Sequence, residues 1–325
     1  MTSQIDADLP WLREQIASLT AARQAGRLPH SLLLQGSAGI GADWLAQWIA
    51  RLLLCTAAGH EPCGRCRACR WVNEEQHPDL LVVRAIEDSR QIKIEQIRDL
   101  SVELGLKSHQ GGFRVGVIHS ADALNRFAAN ALLKTLEEPR PDTVLILTAA
   151  LPSRLPATIR SRCQMLRLRQ PTRAACLAWL KGLDATADWA AVLDVVGDNP
   201  LAAREVDAAQ AAALRAETLH GLEQMARRHA SPLELAETWS RSELALRLRL
   251  FETWLTNRIR AQALKPVIST EMRPVTQLHN AKSIMNIGPT FELLDGVREL
   301  QALLDSPINR SLALERLLLQ LAVQA

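Results

Sequence analysis

Hydrophobic and polar positions divide this chain into two textures. In the first half, short apolar runs alternate with stretches of helical spacing. Ser31–Gln35 (SLLLQ), 79–84 (DLLVVR), Arg114–Ile118 (RVGVI) and 143–147 (TVLIL) read as buried strands. Between the first two, residues 44–54 place Leu45, Trp48, Ile49 and Leu52 on one helical face. Between the last two, 127–136 reads as a helix that ends before Glu137, Glu138 and Pro139, with Leu132, Leu133 and Leu136 inward. This alternation predicts an α/β domain built on a largely parallel sheet. From Thr172 the strand signals vanish and Ala/Leu/Arg/Glu-rich helical patterns run to the end. A small helical unit is expected from 172 to 208, containing the turn Gly197-Asp198-Asn199-Pro200, and a second helical domain follows. That domain closes with the amphipathic stretch 311–323, in which Leu312, Leu314, Leu317, Leu318 and Leu321 recur at helical spacing.

Composition narrows the possibilities. The chain has 325 residues, 48% hydrophobic and 22% charged, which suits a globular protein of two or three domains. Its net charge of +3 is too small to imply nucleic-acid binding by itself. There is no Tyr, and aromatics make up 4% of the residues, so a base-stacking platform for single strands is not expected. The longest apolar runs are interrupted by Arg, Gln or Asp, so no membrane span is expected. The first ten residues carry Asp6 and Asp8 and lack the basic-then-apolar order of a signal peptide. A cytoplasmic location is therefore expected, where clustered thiols suggest metal rather than disulfides.

Four of the six cysteines are clustered: Cys55, Cys63, Cys66 and Cys69, spaced Cys-x7-Cys-x2-Cys-x2-Cys in a loop with Gly59, Pro62 and Gly64. Cys-x2-Cys pairs present two thiolates from one tight turn, and four thiolates suit tetrahedral zinc. Arg65, Arg67 and Arg70 would offset their charge. With every coordination position filled by protein, such a zinc would be structural. His60 is a less fitting substitute for one thiolate, and four unrelated thiols are the plain alternative. Cys163 and Cys176 stand apart, Cys176 reading as a small buried apolar residue.

Between the first strand and its helix lies Gly36-Ser37-Ala38-Gly39-Ile40-Gly41-Ala42-Asp43. A phosphate-binding loop needs two glycines at this separation, then Lys and Ser or Thr: the backbone cradles phosphates, Lys reaches the β/γ-phosphates and the hydroxyl holds Mg²⁺. Gly36 and Gly41 keep the separation, but Ala42 replaces the Lys and Asp43 the hydroxyl residue. Both changes oppose ATP, and a tight βα turn explains the glycines equally well. After the strand Arg114–Ile118, where acidic residues would bind Mg²⁺, the chain has His119-Ser120-Ala121-Asp122. Asp122 sits several residues past the strand and is as well read as a helix cap. No ATP is expected in this chain's own site, and no intrinsic ATPase.

Several strings resemble bacterial clamp-loader subunits, a branch of the AAA+ family. They are Leu28-Pro29-His30-Ser31, the four-cysteine insert, His77-Pro78-Asp79-Leu80, Asn130-Ala131-Leu132-Leu133-Lys134-Thr135-Leu136-Glu137-Glu138-Pro139, and Ser161-Arg162-Cys163 preceded by 155–160 (LPATIR). The resemblance is strong to about Cys163 and weaker beyond, where 309–319 is similar to the last collar helix. It implies an AAA+ P-loop-like domain over 1–168 carrying the four-Cys zinc module (55–69), a helical lid over 169–208 and an all-α collar over 209–325. Ala42, Asp43, His119, Ser120, Ala149, Ala150 and Pro200 depart from the gamma or tau ATPase pattern and indicate a catalytically degenerate member. The delta subunit lacks both the cysteine insert and the Ser-Arg-Cys motif.

For such a member the resemblance implies a heteropentamer with gamma/tau and delta subunits, joined through collar and AAA+ domains, within the DNA polymerase III holoenzyme. Its other partners would be the sliding clamp and primer-template DNA. Arg162, flanked by Ser161 and Cys163, would reach in trans to the γ-phosphate held by a neighbour; a plain surface Arg is the alternative. Lys134 is either a DNA contact or part of a solvated helix face. Two other classes stay open: a clamp-loader ATPase subunit with an atypical loop, and a zinc-bearing nucleic-acid-binding module.

Overall fold

The computed structural model describes residues 9–86, 91–263, 288–304, 306 and 308–324. Asp6 and Asp8, and residues 264–287 of the expected collar, lie outside the described residues. The chain divides into two compact units, Met1–Trp179 and Leu180–Ala325.

The first unit is a three-layer α/β domain. In chain order it contains α1 (Arg13–Gln24), β1 (Ser31–Gln35), α2 (Ala42–Leu54), α3 (Arg67–Asn73), β2 (Leu80–Val83), α4 (Ile94–Leu104), β3 (Arg114–Ile118), α5 (Arg126–Glu137), β4 (Thr143–Ala149), α6 (Ala157–Arg160) and β5 (Gln164–Arg167). The strands form one parallel sheet in the order β2-β3-β4-β1-β5. Parallel strands covered on both faces read as continuous apolar runs, and β3 and β4 are buried at every residue. The edge strands β2 and β5 are shorter and less buried, and β5 buries neither end of its four residues. That pattern is why QMLR gave no strand signal, and β5 is an addition to the four strands expected from sequence.

Chain order reverses where β1 sits between β4 and β5. Open parallel sheets bind ligands outside the carboxyl ends of their strands at such a reversal. The loops there begin at Gly36 after β1, His119 after β3 and Ala150 after β4. Pairing of Ile118 with Leu147 brings His119 and Thr148 side by side, though they are far apart in sequence. A core of Leu33, Ile97, Leu100, Ile118, Leu132, Leu136, Leu145 and Leu147 fixes that end of the sheet under α4 and α5.

The boundary between the units falls inside α7 (Arg173–Leu183). Beyond it the described residues are helical, as expected: α8 (Trp189–Val196), α9 (Pro200–Glu205), α10 (Ala208–Ala226), α11 (Pro232–Arg241), α12 (Leu244–Ala263), α13 (Gly288–Ala302) and α14 (Arg310–Gln324). Their starts are written in the sequence. Asp188, Asn199, Asp207 and Ser231 each accept a backbone N–H from the first turn of the following helix. Pro200 follows Asn199 as the first residue of α9, where its missing N–H costs nothing. Trp239, Phe251, Leu255, Leu293, Leu314 and Leu318 form the buried centre of this unit.

Candidate functional site

Three sites of distinct chemistry occur in the first unit. The Gly-rich loop follows the path of a phosphate loop. A Cβ on Gly36 would come within 2.7 Å of Ile40 Cδ1 and 3.2 Å of Leu168 Cβ, so only glycine fits the turn out of β1. Gly41 has φ +106°, a conformation that L side chains rarely adopt, and α2 begins at the next residue. Ala42 therefore occupies the first turn of α2 with a methyl group where a phosphate site needs its cation.

Asp43 turns toward the strand ends. His119 Nδ1–H donates to Asp43 Oδ1 at 2.7 Å, and Thr148 Oγ–H donates to the same oxygen at 2.8 Å. Thr148 Oγ in turn accepts the Ser120 N–H at 3.0 Å. Partial desolvation works to raise the Asp43 carboxyl. The hydrogen bond and charge of His119, with Thr148 and the more distant Arg84, outweigh it and hold the carboxyl below its ordinary range. In a working site a loop hydroxyl and a strand-end carboxylate share Mg²⁺. Here the acid sits on the loop, the base on the strand end, and the two touch directly. A cleft of ≈ 380 Å³ lined by Asp43, Gln47, Arg84, His119 and Ser120 remains beside them. Arg84, the cation of that cleft, gives its guanidinium to Glu75. Thr148 is buried in β4, a polar residue inside an apolar run whose sequence carries no signal of this partnership. Asp122 caps no helix: its Oδ2 accepts the Leu151 N–H at 3.1 Å, while Asn125 caps α5 through Ala128 N–H.

The four clustered cysteines come together as expected. The sulfurs of Cys55, Cys63, Cys66 and Cys69 all lie within 4.8 Å of one another, and Cys55 and Cys66 are 3.8 Å apart. Tetrahedral Zn–S bonds of about 2.3 Å separate sulfurs by roughly 3.8 Å, so the cluster could hold a metal ion. The backbone supports thiolates. Cys63 N–H points at Cys55 Sγ (3.4 Å), Cys66 N–H at Cys63 Sγ (3.3 Å) and Cys69 N–H at Cys66 Sγ (3.4 Å). Cys66 is also the N-cap of α3. Burial works to raise the Cys66 thiol, but N–H donors from Cys69 and Thr56 prevail and bring it down to about 6. Cys69 moves the other way, raised chiefly by burial and then by its sulfur neighbours. That split suits a set of sulfurs built to share one cation. His60 is exposed and outside this cluster. Of the neighbouring arginines, Arg67 stacks over Trp71 at 4.1 Å from the ring centroid.

The third site is the corner between α6 and β5. Ser31 Oγ–H in β1 donates to the carbonyl of Arg162 at 2.7 Å and pins the backbone there. Cys163 is buried, and burial pushes its thiol up to about 11, so it packs rather than reacts. Arg162 points outward: its NH1 donates to Thr158 O at 3.0 Å and its NH2 meets Glu137 Oε1 at 2.6 Å. Ser161 Oγ–H closes the turn on Thr158 O at 3.1 Å. Lys134, on the same helix as Glu137, is exposed. Cys176 is fully buried, and Leu132 and Leu136 lie inward as expected, with Leu133 partly buried against the same core. No helix among the described residues is long and apolar enough to cross a membrane.

Comparison with known proteins identifies the family. Residues 11–172 match the family model described as DNA polymerase III, delta subunit. The chain is 34% identical over 322 residues to DNA polymerase III subunit delta-prime of Pseudomonas aeruginosa, covering 96% of this chain and 97% of that one. It is 38% identical over 172 residues to subunit delta-prime of Escherichia coli K12, 53% of this chain and 52% of the relative. A further match, 34% over 167 residues, is to subunit tau of Escherichia coli K12, covering 51% of this chain and 26% of tau. With 34% identity to one delta-prime subunit across nearly the whole of both chains, the chain belongs to the delta-prime subunit family of DNA polymerase III.

Proposed function

We propose that this chain is a non-catalytic subunit of the replicative clamp loader that completes the ATP site of a neighbour. It joins gamma/tau and delta subunits in a five-membered ring, using its helical collar (209–325) and its AAA+ domain (1–168), with 169–208 as the lid between. In that ring Arg162 reaches the γ-phosphate on an adjacent gamma or tau subunit, and the assembly places the sliding clamp on primed DNA. The cysteine cluster holds one structural zinc.

The observation that carries this reading is the Asp43–His119 contact. It consumes the two positions that would hold Mg²⁺, and Ala42 removes the phosphate cation, so hydrolysis has to occur on another chain. The half-exposed guanidinium of Arg162, whose backbone is fixed by Ser31, is the feature suited to act there. A planar guanidinium spreads charge over transition-state oxygens, and such a residue supplied in trans is worth about 10³-fold or more at the site it serves. Tau, which matches half of this chain, does not favour an ATPase reading here, because no cation follows Gly41.

Reconstituting the loader with Arg162→Ala tests this. Clamp- and DNA-stimulated ATP hydrolysis should fall while the ring still assembles by gel filtration. An unchanged rate in an intact ring contradicts the assignment.

A further inference from the structure

Glu137 is the last residue of α5, and its carboxylate meets Arg162 across the turn that links α6 to β5. The pair does little for stability. Both side chains are half open to solvent, 36% exposed for Arg162 and 48% for Glu137, and ion pairs of that kind contribute between nothing and ~1 kcal/mol. Its geometry is more informative than its strength. An Arg side chain has rotamer entropy to lose when it is fixed. Here Ser31 Oγ–H donates to the Arg162 carbonyl, Thr158 O and Ser161 Oγ accept from NH1, and Glu137 meets NH2. The Thr158 and Ser161 acceptors lie within the same turn as Arg162, and Ser31 acts on its backbone alone. Only Glu137 brings a carboxylate from another helix to the guanidinium, at its NH2 end.

We propose that Glu137 is a positioning residue for Arg162: it holds the guanidinium plane at the orientation in which its remaining N–H donors face an incoming phosphate. The inference rests on the reading of Arg162 as a residue acting in trans. Because the guanidinium has five N–H donors in a fixed fork, anchoring one on Glu137 and one on Thr158 leaves the others free while the plane is set. Holding a group in its productive orientation before the reaction lowers the barrier by the entropy no longer lost in the transition state. The gain is limited by the modest strength of the pair.

The test uses the reconstituted loader with full-length chain carrying Glu137→Ala, Glu137→Gln, Arg162→Ala, or Glu137→Ala with Arg162→Ala. Glu137→Ala should lower kcat for clamp- and DNA-stimulated hydrolysis roughly two- to fivefold and leave KM for ATP unchanged. Glu137→Gln, which keeps an acceptor on the same stem, should recover part of that loss. The double variant should be no slower than Arg162→Ala alone. Wild-type kcat in Glu137→Ala beside a slow Arg162→Ala overturns the positioning role and leaves the role of Arg162 intact. A faster Glu137→Ala overturns it too, since the pair would then restrain the arginine rather than aim it. An additive loss in the double variant also overturns it. Arg162→Ala at the wild-type rate removes the underlying reading itself.

Discussion

The two ends of helix α2 lead to clusters that differ in how their side chains are partnered. At its N-terminus, the loop from Gly36 to Gly41 has the glycine turn of a phosphate site, with Ala42 and Asp43 where such a site has Lys and a hydroxyl residue. At its C-terminus, Cys55 and the three cysteines that follow it bring their sulfurs within 4.8 Å of one another and could hold a metal ion. Asp43 is partnered within the protein by His119 and Thr148, and of this trio only His119 Nε2 is buried without a hydrogen-bond partner. The cysteine sulfurs crowd together: three of them accept N–H···S contacts and Cys55 and Cys66 meet at 3.8 Å, an arrangement that a shared cation would complete. A backbone path therefore does not by itself report a binding site; the test is whether the side chains still need the ligand.

The comparison extends to Arg162, which also faces outward with part of its hydrogen-bonding capacity unused. The largest effect is expected there. Arg162→Lys, which keeps the charge and loses the planar fork, should fall between wild type and Arg162→Ala in loader hydrolysis, and closer to Ala. Equal activity of Lys and wild type would mean that only charge is required.

A smaller, local effect is expected at the cysteines. Purified chain should contain one zinc by elemental analysis, and Cys66→Ser or chelator should release it and open the 55–69 loop to protease. Metal retention should weaken in acid, because ligation requires thiolates and protons compete with the metal for them. Cleavage unaffected by the chelator would break the contrast between the two loops.

The smallest effect is expected at Asp43. Its carboxyl is held below the ordinary range in the folded chain, so its contribution is complete above the unfolded value of about 4 and is lost as pH falls through the folded value. Asp43→Asn should therefore cost at most ~1 kcal/mol at neutral pH, with the gap to wild type closing below about pH 4. A gap that persists into acid would mean that packing, not the charge, is what Asp43 supplies.

Much of this was legible in the sequence because it is local. Gly spacing, Cys-x2-Cys pairs, helix caps and apolar strands are all read within a dozen residues. The missing Lys and hydroxyl were equally visible at Ala42 and Asp43. What could not be read were partnerships made by the parallel sheet. Asp43 meets His119 and Thr148 across 76 and 105 residues, through strand register that no local pattern encodes. Strand β5 was missed because an edge strand with exposed ends lacks an apolar signature. Asp122 resembled a cap by residue type, yet Asn125 is one turn closer to α5 and takes that role.

The central claim is that contacts within the chain, from Asp43 to His119 and Thr148, take the positions at which a nucleotide loop would hold Mg²⁺. Titrating purified chain with Mg–ATP to millimolar concentration in a calorimeter tests it most directly. No binding heat is expected. Saturable binding would contradict the account and would return hydrolysis on this chain to consideration.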